Sequence, residues 1–149
     1  GSGRPHPYHQ SSSADEGATW TPPRKMEGVW SVEPRLVRLD NGLILLSGGR
    51  SGLFLWVCAD GEGIQWEPFN LAIHHNAFVS DPALRYIEGF CQAVENVESA
   101  QSTSYTDMKA VGPDEVVICY DRLAHGWVGA PGPWGEADAV FCVRVKAVR

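Results

Sequence analysis

Apolar and polar residues alternate along this chain in short runs, separated by turns rich in glycine and proline. Arg35-Leu36-Val37-Arg38-Leu39 alternates with the period of two expected of a half-buried strand. Asp40-Asn41-Gly42 follows, and Asn-Gly supplies the positive φ values that a type I′ hairpin turn demands. Leu43 to Ser47 returns as an apolar strand, Gly48-Gly49-Arg50-Ser51-Gly52 turns again, and Leu53 to Cys58 is a third strand. The expectation is an antiparallel meander across residues 34–58. A second meander follows later: Tyr105 to Val111, the turn Gly112-Pro113-Asp114, Glu115 to Tyr120, a loop holding Trp127 and Trp134, and Ala139 to Val148. Between the meanders, Leu84, Ile87, Phe90, Cys91 and Val94 fall at helical spacing and predict a short amphipathic helix within Pro82 to Ser99. Residues 1–12 are polar and carry Gly, Pro and Ser, which predicts a flexible N-terminal segment, frayed or lying at an edge.

Composition narrows the picture. A length of 149 residues, 44% hydrophobic and 20% charged, fits one globular domain. Sixteen glycines and ten prolines exceed the roughly 12% combined share of an average chain, which favours a turn-rich β protein over a helical bundle. The net charge of −6 lacks the basic footprint of a nucleic-acid binder and the Lys/Arg surplus of a surface membrane binder. The longest apolar run, Leu53 to Ala59, falls far short of the ~18 residues of a membrane span. Cys58, Cys91, Cys119 and Cys142 form no metal-binding pattern. Cys58, Cys119 and Cys142 lie in strand-like runs and read as reduced core cysteines, with a Cys119–Cys142 bridge between neighbouring strands as the alternative. His74-His75 lacks a third ligand at suitable spacing, so no metal and no cofactor is expected. The chain opens Gly-Ser-Gly without Met, as a trimmed chain or part of a longer one would.

One motif speaks to architecture. Ser13-Ala14-Asp15-Glu16-Gly17-Ala18-Thr19-Trp20 reads S-x-D-x-G-x-T-W. Asp accepts hydrogen bonds from turn amides, Gly takes a conformation other residues resist, and Trp buries its ring. Cys58-Ala59-Asp60-Gly61-Glu62-Gly63-Ile64-Gln65-Trp66 keeps the Asp, Gly and Trp, with one more residue between Asp and Trp. The two tryptophans are 46 residues apart, close to the length of one four-stranded propeller blade.

These segments resemble the Asp-box, or BNR repeat, of the sialidase superfamily. Glu33-Pro34-Arg35-Leu36-Val37-Arg38-Leu39-Asp40-Asn41-Gly42 followed by Arg50 is similar to a sialidase block in which a Glu opens a strand and an Arg closes the hairpin. Ser104-Tyr105-Thr106-Asp107-Met108, then Ile118-Cys119-Tyr120-Asp121-Arg122, resembles the family's C-terminal tyrosine strand and the hairpin after it. The resemblance implies an all-β fold: a partial six-bladed β-propeller, about half of its blades present, with residues 13–149 as the C-terminal part. It implies an exo-sialidase-like hydrolase that releases terminal sialic acid through a tyrosine nucleophile, an exception among glycosidases. On that reading Tyr105 attacks, Glu33 takes its proton, and Arg50, Trp127 and Asp107 bind substrate. Ser13, Asp15, Gly17, Thr19, Trp20, Asp60, Gly63 and Trp66 are structural Asp-box residues. The implied partners are sialylated or other acidic glycans and the remaining propeller blades.

The chain departs from the family pattern. The N-terminal blades carrying the acid/base Asp and further arginines are not in it, and Arg85, the sole arginine of residues 69–103, has no matching context. The catalytic set is incomplete on this chain. Two function classes follow: part of a sialidase-like hydrolase, or a non-catalytic propeller that binds acidic glycans or serves as a scaffold.

Overall fold

The structure is a computed structural model, and it describes residues 7–49, 52–86, 103, 105–123 and 138–149. These residues form three antiparallel sheets, a short helix and a 3-10 turn. The first sheet pairs β1 (Pro7–Gln10) with β2 (Arg24–Trp30). The second is a meander of β3 (Val32–Arg38), β4 (Ile44–Gly49), β5 (Leu53–Cys58) and β6 (Glu67–Asn70). The third is β7 (Thr106–Gly112), β8 (Glu115–Arg122) and β9 (Ala139–Lys146). The chain is therefore mostly β, and both expected meanders are present.

The middle sheet is covered on both faces, which is why β4 and β5 read as nearly continuous apolar runs rather than alternating ones. Toward the third sheet, Leu45, Leu53 and Leu55 join Met108, Val116, Ile118 and Tyr120 in one core. Toward the first sheet, Leu46, Phe54 and Trp56 meet Met26 and Val29 in another. Here Trp30 of β2 stands edge-on to Trp56 of β5, with ring centroids 5.9 Å apart and planes at 74°. Trp56 Nε1 also donates to Gly28 O at 3.0 Å, which fastens the two sheets. The first strands of the two meanders, β3 and β7, lie side by side.

The hairpin turn forms where expected but is not type I′, because Gly42 takes φ +86° while Asn41 does not take a positive φ. Gly42 N donates to Leu39 O at 3.0 Å, Leu39 N donates to Leu43 O at 2.9 Å, and Asn41 Oδ1 accepts from Leu43 N at 3.1 Å. Asn41 Nδ2 also reaches Ala147 O beyond β9, at 2.8 Å.

Several expectations need correction. Of the two expectations for the N-terminal segment, the edge position holds for Pro7–Gln10, which is laddered to β2 and so is not flexible there, while residues 1–6 lie outside the described ones. Gly48 and Gly49 belong to β4 rather than to a turn. A helix that the sequence reading did not place, α1 (Leu71–Phe78), is capped by Asn70, whose Oδ1 accepts from Ile73 N at 3.0 Å. Pro82–Leu84 forms only a 3-10 turn. The reason is a side chain: Asn76 Nδ2 donates to Tyr86 O at 2.7 Å and Asn76 Oδ1 accepts from Tyr86 N at 2.8 Å. The amide thus acts on Tyr86 as a neighbouring strand would, and takes its backbone groups out of any helical ladder. The remainder of the expected helix, residues 87–99, lies outside the described residues.

Candidate functional site

Each box motif is a turn between consecutive strands, the first joining β1 to β2 and the second β5 to β6. In the first, the Asp15 carboxylate accepts from Ser13 Oγ (2.8 Å), Thr19 N (2.8 Å) and Thr19 Oγ1 (2.6 Å). In the second, Asp60 accepts from Glu62 N (2.6 Å), Gly63 N (2.8 Å), Ile64 N (3.0 Å) and Gln65 N (2.7 Å). Hydrogen bonds to a carboxylate favour its charged form. Thr19 foremost lowers the Asp15 pKa to about 2, and the Cys58 thiol foremost holds Asp60 below the usual carboxylate range.

The correspondence extends to three further positions. Cys58 Sγ donates to Asp60 Oδ1 at 2.9 Å, as Ser13 Oγ does to Asp15, so Cys58 fills the serine position of the second box. Trp66 Nε1 donates to Gly63 O at 2.9 Å, as Trp20 Nε1 does to Gly17 O at 3.0 Å. Gly17 and Gly63 both have positive φ, +91° and +77°. The extra residue of the second box lies between Asp and Gly and leaves these bonds intact. Burial of the indoles differs. Trp66 packs at the margin of the inter-sheet core, whereas Trp20 is 63% exposed, contrary to expectation, because no described element packs over it.

The site residues lie along the seam of β3 and β7. Glu33 stands in a bulge where the β3–β4 register shifts, with φ +50°, a conformation a non-glycine residue rarely holds. Bulges and strained backbone gather where a side chain must be aimed. Glu33 Oε1 pairs with Arg35 Nη2 at 3.3 Å, and Arg35 Nε reaches across to Asp107 Oδ1 on β7 at 3.2 Å. Tyr105 immediately precedes β7, two positions before Asp107, and is 49% exposed. The structure thus joins Glu33 to Asp107 through Arg35, with Tyr105 at the end of the adjoining strand. The Glu33 carboxylate meets Arg35. Arg35 was missed as a site residue because its two partners lie on different strands. The only hint is that Glu33 and Arg35 stand two apart in the sequence.

Arg50 and Trp127 lie outside the described residues. The glycines before Arg50 do not open the backbone to a ligand. A Cβ on Gly48 would collide with Ser31, and one on Gly49 would come within 3.2 Å of Thr103 Cγ2. Ser31 Oγ also donates to Gly49 O.

A cavity of about 890 Å³ opens on the other face of β3, between the first two sheets, where Met26, Pro34, Leu36, Leu46 and Trp66 line it beside Arg24 and Arg38. It is separate from the seam. Below α1, His75 is buried with Nδ1 3.0 Å from Tyr120 Oη and Nε2 2.9 Å from Leu84 O. A carbonyl only accepts, so Nε2 carries the proton and Nδ1 accepts from the tyrosine. His75 is thus a neutral core residue, and burial foremost lowers its pKa below 6.5. Cys142 is exposed and Cys119 half-buried, so of the three strand cysteines only Cys58 lies in the core. Comparisons with protein-family models, with curated proteins and with solved structures find no match for the chain.

Proposed function

We propose that this chain is the C-terminal part of a sialidase-like β-propeller and that the seam of β3 and β7 is its glycan-binding and hydrolytic face. The observation that carries the reading is the seam itself: Glu33 aimed by a left-handed bulge, Asp107 tied to it through Arg35, and Tyr105 beside them. The matched hydrogen bonding of the two box turns on successive sheets supports the propeller part.

The chemistry suits an anionic sugar. Sialic acid carries a carboxylate on its anomeric carbon, which repels an anionic nucleophile but not a neutral phenol. Tyr105 Oη attacks that carbon as Glu33 takes the phenolic proton, and the glycosidic bond breaks. The leaving oxygen receives its proton from an acid on the remaining blades. As Glu33 takes the proton it gives up Arg35, and a substrate carboxylate competes with Asp107 for the freed guanidinium, a planar fork suited to bidentate pairing.

One observation favours a second reading, glycan binding without turnover: Arg35 already occupies Glu33. This chain alone is expected to be inactive, so assay of the full-length protein with its remaining blades on a sialoside with a fluorescent leaving group, beside Tyr105→Phe and with calorimetric binding, separates the two. The hydrolase reading expects turnover that falls at least about 10³-fold in Tyr105→Phe while binding is kept. Binding without turnover in the parent protein leaves the second reading, and failure to bind any acidic glycan removes both.

A further inference from the structure

Cys119 and Cys142 are direct register partners on β8 and β9, and their sulfurs lie 2.7 Å apart. Asp107 of β7 pairs with Cys119 in the same row, so the row runs from the seam to the edge strand β9. Cys142 is exposed and Cys119 half-buried. Cys58, by contrast, is buried and committed to Asp60.

We propose that Cys119 and Cys142 are a reversible modification site, closing to a cross-strand disulfide with a small-molecule disulfide of the glutathione class as oxidant. The exposed Cys142, as thiolate, attacks one sulfur of the oxidant, whose S–S bond breaks and releases one small thiol. Cys119 then gives up its proton and attacks Cys142 Sγ, expelling the second small thiol. Two protein thiols are oxidised by two electrons, and one oxidant molecule is reduced to two thiols. The hydrogen bond with Cys142 foremost pushes the Cys119 thiol up to about 11, which suits it to the second, intramolecular step, where proximity replaces acidity. An exposed disulfide of this kind is open to the reverse exchange. The inference does not depend on the glycan reading.

The test uses the whole chain, reduced, then equilibrated in glutathione buffers of increasing oxidised fraction, acid-quenched, alkylated and mapped by mass spectrometry. Cys119 and Cys142 are expected to lose alkylation together, to appear in one linked peptide, and to return as thiols with dithiothreitol. Cys58 stays alkylatable after unfolding throughout. Cys119→Ser should stop at a glutathione adduct on Cys142. The closed form should melt about 6–12 °C higher, because the bond restrains the loop between the two residues in the unfolded chain. Both thiols still free in excess oxidised glutathione, a lasting adduct on Cys142 beside a free Cys119, or a bridge from either thiol to Cys91 would overturn the proposal.

Discussion

Gly48 lies near the end of strand β4, where glycine is ordinarily a weakness, and Ser31 explains it by occupying the space a side chain would need. Gly48→Ala should therefore cost about 1–3 kcal/mol of stability, read from the urea midpoint, through overlap with Ser31. His75 makes the fold sensitive to acid. Its folded pKa lies below 6.5, with Arg122 and His74 adding repulsion to the cost of burial, so the unfolded chain binds the proton first. Stability is full above pH 6.5 and falls below it, approaching about 1.4 kcal/mol per pH unit until the folded-state pKa is passed. Urea midpoints taken from pH 7.5 to pH 5 check this, and a flat profile would show that His75 is not held neutral. Neither residue role was legible in the sequence. A strand glycine looks like a turn until the opposing serine is seen, and nothing in the His-His pair shows that Tyr120 and Leu84 stand at the two ring nitrogens of His75.

Among the elements, what the sequence conveyed best was the meander around Asn41-Gly42, because apolar patterning and strand length agree there and the turn falls where expected, though not as type I′. It conveyed α1 least. Its eight residues have no strong polar stripe and are held by packing and by the Asn70 cap. The box turns fall between these cases: the motif located both, yet gave no sign that Cys58 does the work of serine. Since Asp60 gathers four backbone amides and Asp15 one, Asp60→Ala should free its turn more than Asp15→Ala does. Amide hydrogen exchange at Gly63, Ile64 and Gln65 should accelerate in Asp60→Ala and stay slow in Asp60→Asn only where the Asn oxygen keeps those bonds. Equal rates in Asp60→Ala and the parent would deny the carboxylate this role.

For the molecule as a whole, burial is lopsided. The middle sheet is covered on both faces, but Leu36, 63% exposed, faces the cavity between the first two sheets. Apolar surface of this kind favours association. The chain should therefore sediment with a concentration-dependent coefficient, and Leu36→Glu should reduce that dependence without lowering the thermal midpoint; a compact monomer at all concentrations would contradict it. The pairing of Trp30 with Trp56 also has an optical meaning. Two indoles 5.9 Å apart and nearly perpendicular, one on each of two sheets, are close enough for their excited states to mix. Their absorption bands should then split into an exciton couplet in circular dichroism, which Trp30→Phe removes. The couplet reports separation of the sheets while the peptide bands still report the strands, so the protein carries a built-in gauge that distinguishes undocking from unfolding.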